Sequence, residues 1–215
     1  MLYTLLWRPE ACFKTVFNKF TAKITGGEFC HSELVFQYTK SQWMQVLKSF
    51  TSGKIRERAT SLSRRLQDIF EQTDDQKEIS LCFYTIWGSE MNLRLLTASD
   101  PYIFNRLPTT NGQATKCIYS VFNDEEQRVA LGFCLSELHK KYDNVKAVLF
   151  WVPRFNCMRR ATALPSKYFC SEFIVYCFQQ MGYAKAHCPE NTTPNDLPLI
   201  LDEINNSLSR RTNVA

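Results

Sequence analysis

The apolar positions of this chain fall into two kinds of block. Leu2–Trp7, Ile79–Trp87, Met91–Leu96 and Lys116–Phe122 are short aliphatic and aromatic runs with the length and composition of strands. Other segments space their apolar residues as one helical face does. Pro9 suits the first turn of a helix to about Phe20, with Cys12, Phe13, Val16, Phe17 and Phe20 on its inner side. Ser41–Phe50 predicts a short helix, and Lys54–Phe70 a longer one through Ile55, Ala59, Leu62, Leu66, Ile69 and Phe70. Asn123 or Asp124 caps a helix running from Glu125 to about Lys140. Val145–Val152 is a further apolar stretch. Between Lys167 and Tyr183, Cys170, Phe173, Ile174, Cys177, Phe178 and Met181 form a helical stripe that stops at Gly182. Thr193-Pro194 opens a last short helix through Ile204. This succession predicts an α+β fold, an antiparallel sheet with helices packed against it. One domain over 1–205 is expected, with 206–215 as a polar, frayed tail.

Composition changes this picture little. A chain of 215 residues is long enough to bury a proper core, and 45% hydrophobic with 22% charged residues is ordinary for a soluble globular protein. Phe 16 and Tyr 9 supply a large aromatic core or a greasy cleft. A net charge of +5 allows contact with anionic lipid or nucleic acid without requiring it. Cys 9, an odd number without any Cys-x-x-Cys pair, points to a reducing compartment. Met1–Trp7 is too short for a signal-peptide core, and no apolar run approaches the roughly 20 residues of a membrane span. The expected location is cytoplasmic. No Gly-rich phosphate loop is present, which removes the common nucleotide enzymes.

Candidate chemistry starts from Cys170. The start of a helix, with its unpaired N–H groups and positive dipole end, favours a thiolate, the nucleophilic form. Among His31, His139 and His187, His31 follows the Gly26-Gly27 turn and begins a probable strand, His-Ser-Glu-Leu-Val-Phe. Alternation puts His31 and Glu33 on one face of that strand, with Val35 beyond them. A carboxylate there fixes the imidazole tautomer and favours its charged form. His139 ends a helix beside Lys140 and Lys141 and needs no catalytic role. His187-Cys188, even with Cys30-His31, lacks a recognisable zinc-ligand spacing, so neither metal nor cofactor is expected.

Gly-Glu-Phe-Cys-His-Ser-Glu-Leu-Val-Phe first and Phe-Cys-Ser-Glu-Phe-Ile far downstream resemble the circularly permuted papain-like superfamily. It comprises NlpC-type cysteine amidases, the lecithin retinol acyltransferase family and proteins of large DNA viruses. Lys141-Tyr142-Asp143 and Thr193-Pro194-Asn195-Asp196-Leu197 are similar to stretches of its bacterial members. The resemblance implies a permuted papain-like fold, a Cys170 nucleophile, a His31 base and a polar residue orienting the imidazole. Strand geometry selects Glu33 for that third role, with Gln37 and Gln42 as lesser candidates. The expected activity is a cysteine hydrolase or acyltransferase acting on an amide, ester or thioester of a small-molecule, lipid or peptide substrate. The Cys170 N–H is the expected oxyanion donor, with Tyr168 as a second.

A basic helical insertion over about 41–72 carries Lys54, Arg56, Arg58, Arg64 and Arg65. It supports a different function: a catalytically inactive module of the same fold, binding a protein or touching a membrane surface through this face. Nucleic acid is the weaker partner for it. Arg159-Arg160 lie upstream of the cysteine helix, where a loop role is expected.

Overall fold

Two apolar strands start the architecture, β1 (Leu2–Trp7) and β2 (His31–Thr39), paired antiparallel so that Trp7 faces His31 and Leu5 faces Glu33. The computed structural model describes residues 1–8, 23, 26–51, 53–71, 77–85, 88–96, 115–144 and 165–212. The helix expected over 9–20, the apolar stretch 145–152 and Arg159-Arg160 lie outside the described residues.

After β2 come α1 (Lys40–Lys48) and α2 (Gly53–Glu71), where two helices were expected. The chain continues through β3 (Glu78–Tyr84), β4 (Asn92–Leu96), β5 (Thr115–Ser120) and α3 (Asp124–Glu137). Two-residue strands β6 (Lys141–Tyr142) and β7 (Lys167–Tyr168) precede α4 (Cys170–Gln180), a 3-10 turn at Pro189–Asn191 and α5 (Leu197–Thr212). The five long strands form one antiparallel sheet in the order β4-β3-β2-β1-β5, which makes the fold α+β. Among the described residues no helix is long and apolar enough to cross a membrane.

Period-two alternation sorts the sheet into two buried faces. Leu2, Leu6, Leu34, Phe36, Leu81 and Phe83 join the larger core with α3 and α4, while Tyr3, Leu5, Trp7, Val35 and Cys82 form a second cluster. His31 and Glu33 share the parity of the second set. Because both faces of β1 and of most of β3 are buried, those strands read as continuous apolar runs.

Three expectations need correction. Helix α4 is not one-sided: every residue from Cys170 to Phe178 is buried, as befits a helix in the middle of a core. The last helix starts at Leu197, after a turn in which Asp196 accepts from the N–H and hydroxyl of Thr193, both at 2.7 Å. Over 206–212 the frayed tail is overturned too, since α5 continues through Thr212. Leu208 is buried there, Asn205 donates to the Tyr119 carbonyl, and Arg211 pairs with Glu126 over the Tyr183 ring.

Candidate active site

His31 opens β2, and its Nε2 lies 3.2 Å from Glu33 Oε1. The other carboxylate oxygen, Oε2, accepts from Arg94 at 2.8 Å and from the Cys82 thiol at 3.1 Å. The Arg94 guanidinium lies 5.7 Å from the Trp7 ring and 5.4 Å from the Tyr84 ring, so two aromatic faces flank it. Glu33 is 4% exposed, and burial alone would raise its carboxyl pKa. Hydrogen bonding and charge from His31, with Arg94 and Cys82, outweigh burial and hold it below the usual carboxylate value. The Cys82 thiol, buried beside that carboxylate, is pushed well up.

Cys170 is the first residue of α4 and is 5% exposed. Phe169, just before the helix, donates its N–H to Glu172 at 3.2 Å, which fixes the first turn. Ser171 Oγ donates to the Thr192 carbonyl at 2.6 Å. Three residues further on, Asn195 clamps the backbone ahead of His31: Phe29 N–H donates to its Oδ1 at 2.7 Å, and its Nδ2 donates to the Phe29 carbonyl at 2.9 Å. One loop therefore ties the cysteine helix to the histidine strand. Gly27 makes this possible, because a Cβ there would collide with the Asn195 side chain.

These ties set Cys170 near enough to His31 for each to shift the other's titration. Burial would suppress both charges. For His31 it is outweighed by the charge and hydrogen bond of Cys170 and by Glu33, so the imidazolium is stabilised well above its ordinary range. For Cys170 it is outweighed by His31 and by the hydroxyl and peptide N–H of Ser32, so the thiol is depressed. With Nε2 engaged by Glu33, Nδ1 is the ring nitrogen left for the thiol. The two groups titrate as a pair.

The other sequence candidates sit elsewhere. Tyr168 does not serve as an oxyanion donor: its hydroxyl is buried against Glu137, which also pairs with Lys140. Gln37 donates to Glu78 at 2.5 Å, and Gln42 closes the capping box of α1 with Thr39, so neither orients His31. In the basic segment Arg58 turns inward and donates to the Leu135 carbonyl at 2.6 Å, while Arg56, Arg64 and Arg65 are exposed. His139 Nδ1 meets Glu90 at 2.9 Å and His187 Nε2 meets Glu203 at 2.7 Å. Cys188 donates to Glu190 at 3.1 Å. Among the described residues no three His, Cys, Asp or Glu side chains cluster as metal ligands would.

Sequence reasoning missed Arg94, Ser32 and the clamp made by Asn195. Arg94 carried no local signal, because only the β3–β4 register sets it opposite Cys82. Ser32 and Asn195 stood inside stretches already noted, but side-chain type alone does not reveal what a residue touches. No family model, curated protein or solved structure matches this chain.

Proposed function

We propose that this chain is a cysteine hydrolase or acyltransferase of permuted papain-like fold, with Cys170 as nucleophile, His31 as base and Glu33 as the residue steadying the imidazole. One observation carries the reading: His31 stands between a thiol at a helix start and a buried carboxylate that is itself neutralised by Arg94. That is the nucleophile–base–orienter arrangement of acyl transfer.

In the reaction, His31 accepts the Cys170 proton, and the thiolate adds to the carbonyl carbon of an amide, ester or thioester. The carbonyl π electrons move to oxygen. By helix geometry the Cys170 N–H, in the first turn, has no intrahelical acceptor and donates to that oxyanion. Collapse of the adduct expels the amine, alcohol or thiol, protonated by His31, and leaves a thioester on Cys170. Water or a second nucleophile, deprotonated by His31, then releases the acyl group and restores the thiol. Glu33 keeps the ring oriented and favours its charged form throughout.

The test is alkylation by iodoacetamide across pH, read for each cysteine by mass spectrometry, with His31→Ala alongside. An ordinary thiol of pKa about 8.5 is nearly inert at pH 6. The reading requires Cys170 alone to label rapidly at pH 6 and to lose that property in His31→Ala. Labelling of Cys170 no faster than the other cysteines would remove the enzyme assignment.

A further inference from the structure

Ser32 lies between the two halves of the site and has no role in the reaction as described above. It is 2% exposed, and its Oγ is a buried polar atom without a hydrogen-bond partner among the described residues. A buried polar atom left unpaired calls for a specific explanation. Its position comes from the sheet. Ser32 faces Leu6 of β1, on the face that packs against α4, whereas His31 and Glu33 take the opposite parity.

The peptide N–H of Ser32 is displaced from the ladder in the same way. Gln37 N–H donates to the Met1 carbonyl, so the odd residues of β2 bond to β1 and the even ones point towards β3. β3, however, pairs with β2 only from Leu34 onward. The sheet therefore opens at Ser32, on a strand against which α4 packs. The Ser32 N–H and the Ser32 hydroxyl both favour the Cys170 thiolate.

We propose that Ser32 is a further catalytic residue, whose hydroxyl and peptide N–H together form a donor cradle for the Cys170 thiolate in the gap where β3 leaves β2. This rests on the Cys170–His31 reading and adds a specific donor to it. When the Cys170 proton passes to His31, the Ser32 O–H rotates to donate to sulfur; no bond of Ser32 breaks. When the sulfur is acylated, its negative charge moves to the carbonyl oxygen and the hydroxyl loses its anionic acceptor. Ser32 therefore stabilises the resting thiolate more than the adduct. Its loss raises the pH at which Cys170 becomes reactive, yet leaves a thiolate of equal or greater intrinsic nucleophilicity, since nucleophilicity rises with thiol pKa.

The experiment is the pH profile of Cys170 alkylation by iodoacetamide in the full chain, for wild type, Ser32→Ala, Ser32→Thr, Ser32→Val and His31→Ala. The expected result for Ser32→Ala is an acid limb moved up by about one pH unit, so labelling at pH 6 falls about tenfold, with an alkaline plateau no lower than wild type. Thr and Val have nearly equal volume and differ in the hydroxyl, so comparing them cancels packing effects. Ser32→Thr keeps the low-pH reactivity, and Ser32→Val loses it. Superimposed limbs for the Thr and Val variants, or a Ser32→Ala limb identical to wild type, overturn the cradle while the Cys170–His31 pair stands. A wild-type Cys170 that titrates as an ordinary thiol and ignores His31→Ala overturns the pair, and the cradle with it.

Discussion

His31 Nε2 and Glu33 Oε1 are 3.2 Å apart, two residues along one strand and both buried. The period of a strand alone brings them together, so the pairing is local; its charge state is not. Arg94, from the strand two places away in the sheet, balances the carboxylate and leaves its second oxygen directed at the ring.

Glu33→Gln removes the charge that favours the imidazolium. The raised His31 pKa contributes stability fully present below the unfolded value of about 6.5 and lost as pH rises through the folded value. In the variant that folded value drops, so proton transfer from Cys170 to His31 is less favoured and the acid limb of Cys170 alkylation moves to higher pH. The fall in labelling rate at pH 7 is expected to be at least about tenfold, the scale of one pKa unit. A Glu33→Gln profile identical to wild type would rule out the orienting role.

Arg94→Met leaves Glu33 without its cation. The Arg94 side chain is 31% exposed, so the cost lies between that of a surface pair and a buried one, about 2 kcal/mol. Glu33 has a depressed folded pKa, so its contribution is present above the unfolded value of about 4.3 and is lost as pH falls through the folded value. Acid unfolding followed by circular dichroism should therefore begin at higher pH in Arg94→Met than in wild type. Arg94→Lys should retain part of the difference.

Asn195→Ala strips both backbone partners from Phe29 and should cost about 2 kcal/mol in urea melts. Gly27→Ala destabilises for the opposite reason, by driving a Cβ into the Asn195 side chain. The two effects share one contact, so the double variant should lose less than the sum of the singles. Strict additivity would show that the two residues do not meet.

Tyr168→Phe deletes a hydroxyl held by Glu137 and should lower stability by about 1 kcal/mol, because Lys140 still pairs with that carboxylate. The pH profile of Cys170 alkylation should be unchanged, which separates a structural tyrosine from an oxyanion donor.

What was readable from the sequence was local. A strand of period two put His31 and Glu33 on one face, a helical spacing put Cys170 at a helix start, and Asn123 or Asp124 announced the cap of α3, which is Asn123. Each depends on residues within a few positions of one another, where backbone geometry fixes the relation. The error at the C-terminus was of another kind. Asn205–Thr212 is polar in isolation and helical because Tyr119, Glu126 and Tyr183 receive it. Arg94 beside Glu33, Asn195 on Phe29 and Ser32 against Cys170 are likewise set by strand register and by loops that cross the fold. Such contacts join residues whose positions relative to one another are undefined until the sheet closes. The sequence by itself determined which groups could react; the tertiary structure decided which of them meet, because burial and opposing charge act only across distances that folding creates.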